Sequence, residues 1–525
     1  MAESPAAREI AFDSWSDYAC AISTRRGTAM QKRYEIEQLM ALSEVKFGTS
    51  GARGLADNMT DEVCYAYTIA FLQHLEQNAA VAPGSWLAIA GDLRPSTPRI
   101  CAAVARAAVD KGYGVRFCGE IPSPAVAYYG LCHGMPSVMV TGSHIPDDRN
   151  GIKYNSPVGE ILKEDERGIR AQQVVIDSES FGQDGALAEA FTLPEVCVDA
   201  EQRYIQRYTD FFGDQVLRGL DLGFYEHSCV GRDTLQTIYK ALGANVTGLG
   251  RSTTFVPVDT EAIRPEDSVL AAEWAAGGAY HALLSADGDC DRPLIADETG
   301  QWLRGDVAGI LCAQYLGADT VATPVSCNTA VEQCAAFATV TRTRIGSPFV
   351  IAAMKEAAAD GAGMVVGYEA NGGFLINSDL EREGRQLAAL PTRDATIVHI
   401  ALLALARQRG LSMAELVATL PRRYTASNRL QDFPTERSAA KLAAFTAGNF
   451  ESSARRFAEV FGPLSGTVTA IDTTDGLRVT FDTLEVIHLR PSGNAPELRV
   501  YNEAASAARA LELNQACLDI MASWR

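Results

Sequence analysis

Three times along this chain an apolar run gives way to a short polar loop, and each time a strand-helix alternation precedes it. WLAIAGD from Trp86 reads as a strand, RPSTPRICAAVARAAVDKG as a helix capped by Ser96 or Thr97 and stopped by Gly112, and YGVRFCG as a second strand. PSVMVTGSH then reads as a buried strand ending on a Gly-Ser turn, the place where α/β folds put ligands. The pattern recurs as a strand over 222–225, a helix over 233–242 stopped by Gly243, and HALLSADGD, which ends on acidic residues. It returns from Thr320 as TVATPVS, helices over 329–337 and 349–359, and GMVVGYEANGG. This repetition predicts an α/β chain with three similar α/β domains, built on mixed sheets around a central cleft.

A helix over 391–410 follows, capped by Thr392 or Asp394 and closed by Gly410. After Pro421 the pattern changes to the alternation of GTVTAIDTTDGLRVTFDTLEVIHLR, which predicts antiparallel strands with a turn at Asp475 and Gly476, then a helix from Ala504. A smaller C-terminal α+β domain is expected. The expected divisions are 1–195, including an extension over 1–40, then 196–303, 304–424 and 425–525. A length of 525 residues suits several domains and excludes one small module.

The formal net charge of -19 repels nucleic acid and anionic membrane surfaces, so neither is an expected partner. A phosphorylated metabolite would need a local cluster of Arg, Lys or metal. Twelve cysteines include no C-x2-C pair, which argues against a zinc ribbon and for reduced, mostly buried thiols. The first residues lack an apolar signal core, and no apolar run approaches the about 18 residues of a spanning helix. A cytoplasmic, soluble protein is expected.

Four loops carry chemistry. In TGSHIPDDRNGIKY, Ser143 is a candidate nucleophile or phosphate carrier, with His144 or Lys153 as its base and an Asn150-Gly151 turn between them. The competing reading is a solvated turn serine. In ADGDCDRPLIADE, Asp287, Asp289 and Asp291 repel one another unless a divalent cation joins them. An EF-hand fails, because Arg292 stands where the loop needs Gly and the flanks read as strands, so Mg2+ beside a phosphoryl oxygen fits better. RPSGNAPELRVY brings Arg490, Ser492, Gly493, Asn494 and Arg499 into a candidate phosphate cradle. GYEANGGF ends a strand at Glu369 and Asn371, which suit sugar hydroxyls.

In this order the segments resemble the α-D-phosphohexomutase superfamily. KFGTSGARG over 46–54 is similar to the family's opening motif and places Arg53 in the active site. The matches run from Lys46 to about Glu503. The resemblance implies four domains around a cleft and transfer of a phosphoryl group from phospho-Ser143 to a hexose 1-phosphate or 6-phosphate, mannose being placed ahead of glucose. A hexose 1,6-bisphosphate would then reorient and return its other phosphate. It further implies Mg2+ on Asp287, Asp289, Asp291 and the phosphoserine, a clamp from Arg53 and Arg292, and proton handling by Lys153 or His144. The cradle residues would hold the idle phosphate on a mobile fourth domain, and Gly346 and Ser347 of TRIGSPFV would contact the sugar. The sugar loop departs from the family's Glu-x-Ser-Gly-His pattern, with Asn371 and Gly373 in place of Ser and His, and Asn494 and Ala495 stand where Thr and Glu are common. A hexose 1,6-bisphosphate synthase, a silent phosphosugar-binding protein and a serine phosphohydrolase are the alternatives. A monomer or homodimer is expected.

Overall fold

The computed structural model describes residues 31–48, 51–492 and 496–525. Its first three large sheets share one strand plan. Gly114–Gly119, Trp86–Gly91 and Ser137–Val140 lie side by side in parallel, and Arg149–Ser156 returns antiparallel to the last of them. Asn245–Arg251, Asp221–His227 and Ala282–Ala286 repeat this arrangement, with Pro293–Ala296 as the returning strand. Thr339–Thr343, Thr320–Pro324 and Val365–Tyr368 repeat it again, closed by Phe374–Ile376. The first sheet is extended by Ala52–Leu55 and Lys46–Phe47. The fourth sheet is antiparallel throughout, running from Tyr424–Leu430 through Leu498–Ala504, Val486–Pro491 and Leu477–Phe481 to Val468–Asp472.

Parallel neighbours need a crossover, and antiparallel ones only a short loop. Thr97–Asp110 and Ser123–His133 supply the crossovers of the first sheet, Arg232–Ala241 and Pro265–Ala275 those of the second. In each of the three sheets the last parallel strand turns straight back into its antiparallel partner. The connecting loops carry Ser143, then Asp287 to Asp291, then Glu369 to Gly373, so one topological device delivers three of the four sequence motifs. The fourth motif lies between Val486–Pro491 and Leu498–Ala504.

One apolar cluster unites the first three sheets, containing Met139, Phe224, Leu284 and Tyr368 among residues from Ala88 to Leu420. The C-terminal sheet has its own core of Phe457, Val479, Leu489 and Leu513. It meets the third sheet's region through polar contacts, including a buried Arg423–Glu503 ion pair at 2.5 Å. Cysteines of the described residues are free thiols, most of them buried, and no described helix is long and apolar enough to cross a membrane.

Several local expectations shift. The helix expected over 329–337 is only Ala330–Gln333, because Ala335 adopts a left-handed φ of 50° and the β-branched TVTRT run takes over as a strand. Asn150 and Gly151 are strand residues, not a turn; Gly151 lies opposite Arg53, where an added Cβ would meet Ala52 O and Thr141 O at 2.8 Å. Asp394 caps Ala395–Arg409 by accepting from Thr396 N, while Thr392 donates instead to Glu160. The last helix starts at Ala507 under a Ser506 cap, since Ala504 still belongs to a strand. The Asp475-Gly476 turn forms as expected, with Gly476 at φ 84°.

Three histidines are sealed in these layers. His227 Nε2 bonds Ala286 O at 2.8 Å, His399 Nδ1 bonds the Tyr239 hydroxyl at 2.7 Å, and His488 Nε2 bonds Asp475 O at 2.6 Å. Burial pushes their pKa down to about 4, 3 and 4 respectively. The unfolded chain, with histidine near about 6.5, therefore binds more protons than the folded one below that pH, and stability is lost as pH falls toward about 4. The midpoint of urea denaturation should drop steadily between pH 7 and pH 5; a constant midpoint would contradict this burial.

Candidate active site

Ser143 sits at the end of a buried strand with a left-handed φ of 60°, a conformation a non-glycine residue holds only when its surroundings impose it. Its amide donates to Thr141 Oγ1 at 2.7 Å, its Oγ donates to Asp287 Oδ2 at 2.5 Å, and its Oγ lies 3.3 Å from His144 Nδ1. The side chain of the first sheet's loop thus meets the carboxylate of the second sheet's loop. Arg292 Nη1 donates to His144 Nδ1 at 2.9 Å. Because a guanidinium has no lone pair to offer, this contact puts the imidazole proton on Nε2. Burial, then Arg292 and Arg53, hold His144 far below the ordinary histidine pKa, so it is neutral.

Asp287, Asp289 and Asp291 are buried and each offers an oxygen within 4.8 Å of the others'. Burial, reinforced by Asp289 and Asp291, raises Asp287 to about 8. Burial also opposes ionisation of Asp291, but Arg393, Lys153 and Arg292 outweigh it and hold that carboxyl well below the usual range. Lys153, from the returning strand of the first sheet, reaches Asp289 and Asp291 at 2.5 Å. Asp289 Oδ1 and Asp291 Oδ1 are buried without a hydrogen-bond partner. Three clustered carboxylates, two of them with an unpartnered oxygen, fit a divalent cation such as Mg2+. Arg53 lies close enough to feel these charges, although burial and Arg292 lower it to about 10 and it stays protonated at neutral pH.

The third sheet contributes Glu369 and Asn371, both buried. Asn371 Oδ1 accepts from Gly373 N at 2.9 Å and so closes its own turn. Gly346 precedes Ser347–Ala359 with φ 127°, and Ser347 Oγ donates to Glu160 at 3.0 Å, placing that loop against the first sheet's edge. In the fourth sheet Arg490 and Arg499 are register partners, and Ser492 is buried. Arg490 lies 2.9 Å from Asp475, Arg499 3.4 Å from Glu497. Gly493 and Asn494 fall outside the described residues.

Comparison with known proteins decides the relationship. The family model for phosphoglucomutase/phosphomannomutase α/β/α domain I matches residues 44–179, that for α/β/α domain III residues 304–424, and that for the C-terminal domain residues 436–520. A phosphomannomutase of Salmonella muenchen is 44% identical over 93% of this chain and 98% of its own. The chain belongs to the phosphoglucomutase/phosphomannomutase family. A phosphomannomutase of Sinorhizobium fredii is 43% identical over 87% of the chain and 95% of its own length. A phosphoglucomutase/phosphomannomutase family protein of Burkholderia thailandensis shares the fold at TM-score 0.67 and 20% identity, covering 91% of this chain and 96% of that one.

Within this family frame, two arginines stand out that the sequence did not reveal. Arg393, 2% exposed, places Nη2 2.8 Å from Asp291 and Nη1 3.4 Å from both Glu369 and Ser347, so it joins the acidic loop to the Glu369 loop. At Gly373 an added Cβ would come within 2.4 Å of Arg393 Cδ. The missing side chain is the space that Arg393 fills. Arg94, treated in sequence as part of a helix start, binds the backbone of the Ser143 loop. Only proximity between residues up to 102 apart in sequence exposes the role of Arg393, though the Arg-Asp pair just before a helix is a visible signal. Gly373→Ala should displace Arg393 and lower kcat/KM about tenfold or more, with little change in melting temperature; unchanged kinetics would show that the contact is idle.

Proposed function

We propose that this chain interconverts hexose 1-phosphate and hexose 6-phosphate through phospho-Ser143, with mannose phosphates as the preferred substrate. The observation that carries the reading is Ser143 Oγ, held in a strained turn 2.5 Å from one of three clustered carboxylates. Two phosphomannomutases at 43% and 44% identity support the choice of sugar. We divide the chain at 195/196, 303/304 and 424/425, giving each motif loop its own domain.

The chain's own groups have separable tasks. Ser143 carries the phosphoryl group. The O1 or O6 hydroxyl of the sugar attacks phosphorus, the Oγ–P bond breaks, and the hydroxyl proton passes to a protein base. That base is Lys153, once its own ammonium proton has passed to Asp289 or Asp291, or His144, once its Nδ1 has given up the contact with Arg292. Arg292 and Arg53 face the charge that develops on the transferring group. Glu369, Asn371 and Ser347 orient the sugar hydroxyls beside Gly346, while Arg490, Ser492, Gly493, Asn494 and Arg499 hold the phosphate that is not reacting. The resulting 1,6-bisphosphate turns end for end and returns its other phosphate to Ser143, a step that favours movement of the separately cored fourth domain. Asp287, Asp289 and Asp291 would hold Mg2+, which supplies positive charge beside the phosphoryl oxygens when bound. Magnesium is also present in the solved Aspergillus fumigatus N-acetylphosphoglucosamine mutase complex with GlcNAc-6P.

Phosphorus NMR of mannose 1-phosphate with purified protein, Mg2+ and a trace of hexose 1,6-bisphosphate should show the 6-phosphate growing in, faster than from glucose 1-phosphate. Ser143→Ala should reduce turnover by at least about 1,000-fold; activity near the unsubstituted level would defeat the assignment. Chelation should abolish turnover and Mg2+ should restore it. Full activity in the chelated protein would remove the acidic cluster's proposed role. Accumulating bisphosphate without 6-phosphate would instead indicate a bisphosphate synthase.

A further inference from the structure

Arg94 lies just after the first strand of the first sheet and is 1% exposed. Its guanidinium spends its donors on one carboxylate and four backbone carbonyls. Nε donates to Asp92 Oδ2 at 3.0 Å, Nη1 to Pro146 O at 2.6 Å and Arg149 O at 2.9 Å, and Nη2 to Ser143 O at 2.8 Å and Ile145 O at 2.6 Å. Three of these carbonyls belong to the loop that presents Ser143, and the fourth, Arg149 O, opens the strand that returns from it. Asp92 fixes the other side of that loop, accepting from Thr141 Oγ1 at 2.7 Å, and Thr141 in turn receives the Ser143 amide. Gly142 is part of this design: a Cβ there would come within 2.5 Å of Arg94 Cζ.

The flat face of the same guanidinium lies 4.0 Å from the centroid of the Phe255 ring. Phe255 also packs against the acidic loop, where a Cβ on Gly288 would meet its ring at 3.1 Å and Ser143 O at 2.6 Å. Arg94 therefore touches the nucleophile loop with its edge and, through Phe255, the carboxylate loop with its face. Two loops from different sheets are registered on one planar cation. Lysine has neither the fork nor the face needed to do both.

We propose that Arg94 is the positioning residue that holds Ser143 in register with Asp287, and that it thereby directs the phosphoryl group to the sugar hydroxyl instead of water. This rests on the reading of Ser143 as phosphate carrier. With the loop loosened, water would compete: its oxygen forms the new P–O bond, the Oγ–P bond breaks, Ser143 regains a proton and inorganic phosphate leaves. Sugar binding, made by the third and fourth sheets, would be little changed.

The test charges full-length protein with hexose 1,6-bisphosphate and compares the unsubstituted chain, Arg94→Lys and Phe255→Leu. Measured quantities are kcat, KM for mannose 1-phosphate, and the ratio of phosphate released to water against phosphate transferred to sugar. Arg94→Lys should lose about 100-fold in kcat with KM within about threefold, and shift the ratio toward water about tenfold. Phe255→Leu should move both quantities the same way by about three- to tenfold. A folded Arg94→Lys protein whose kcat and ratio match the unsubstituted chain overturns the proposal. Should Arg94→Lys not fold, an unchanged ratio in Phe255→Leu overturns it. A purely structural role would lower the melting temperature and leave the ratio alone. Ser143→Ala is the separate control: if it still turns over, the carrier reading has failed, and the Arg94 result is judged on loop registration by kcat alone.

Discussion

Three carboxylates crowded into a buried loop are the constraint on which this molecule depends. Asp287, Asp289 and Asp291 could not ionise together in an apolar interior without cations around them. Those cations come from three places: Lys153 from the first sheet, Arg292 from the loop itself, and Arg393 from the turn before a helix of the third region. Neutralising one loop thus requires three parts of the chain to converge, and the cleft is where they do. The same charge balance leaves two carboxylate oxygens, Asp289 Oδ1 and Asp291 Oδ1, without a hydrogen-bond partner, which suits a divalent cation.

Convergence is made economical by repetition. A parallel strand followed by an antiparallel return ends in a loop whose ends are fixed by ladder hydrogen bonds on both sides. Using that loop three times brings Ser143, the acidic cluster and Glu369 together, each on rigid flanks. The shared apolar cluster then sets these three loops against one another. The fourth sheet, with its own core and polar contacts to the rest, is joined less tightly, which suits a part that handles either end of a substrate.

The Glu369 loop and Arg393 fit each other closely. Gly373, with no side chain, leaves a space, and the aliphatic part of Arg393 occupies it while its guanidinium spans Asp291 and Glu369. Arg393 thereby ties the Glu369 loop to the acidic loop.

Ser143, the acidic triad, the Glu369 turn and the Arg490 hairpin could all be read from sequence, because each is a short run of residues that ends a periodic apolar strand. The α/β character and the antiparallel C-terminal sheet were legible for the same reason, since period and turn chemistry are local. The four-residue helix at Ala330–Gln333 was not, because the left-handed Ala335 that stops it has no sequence mark. Nor were Arg94 and Arg393: an arginine next to a helix start looks like any other until the fold shows which carbonyls or carboxylates it meets. Sequence by itself determined which chemical groups the loops carry, through local spacing. Tertiary structure alone decided which charges face each other, because that depends on distances between residues remote along the chain.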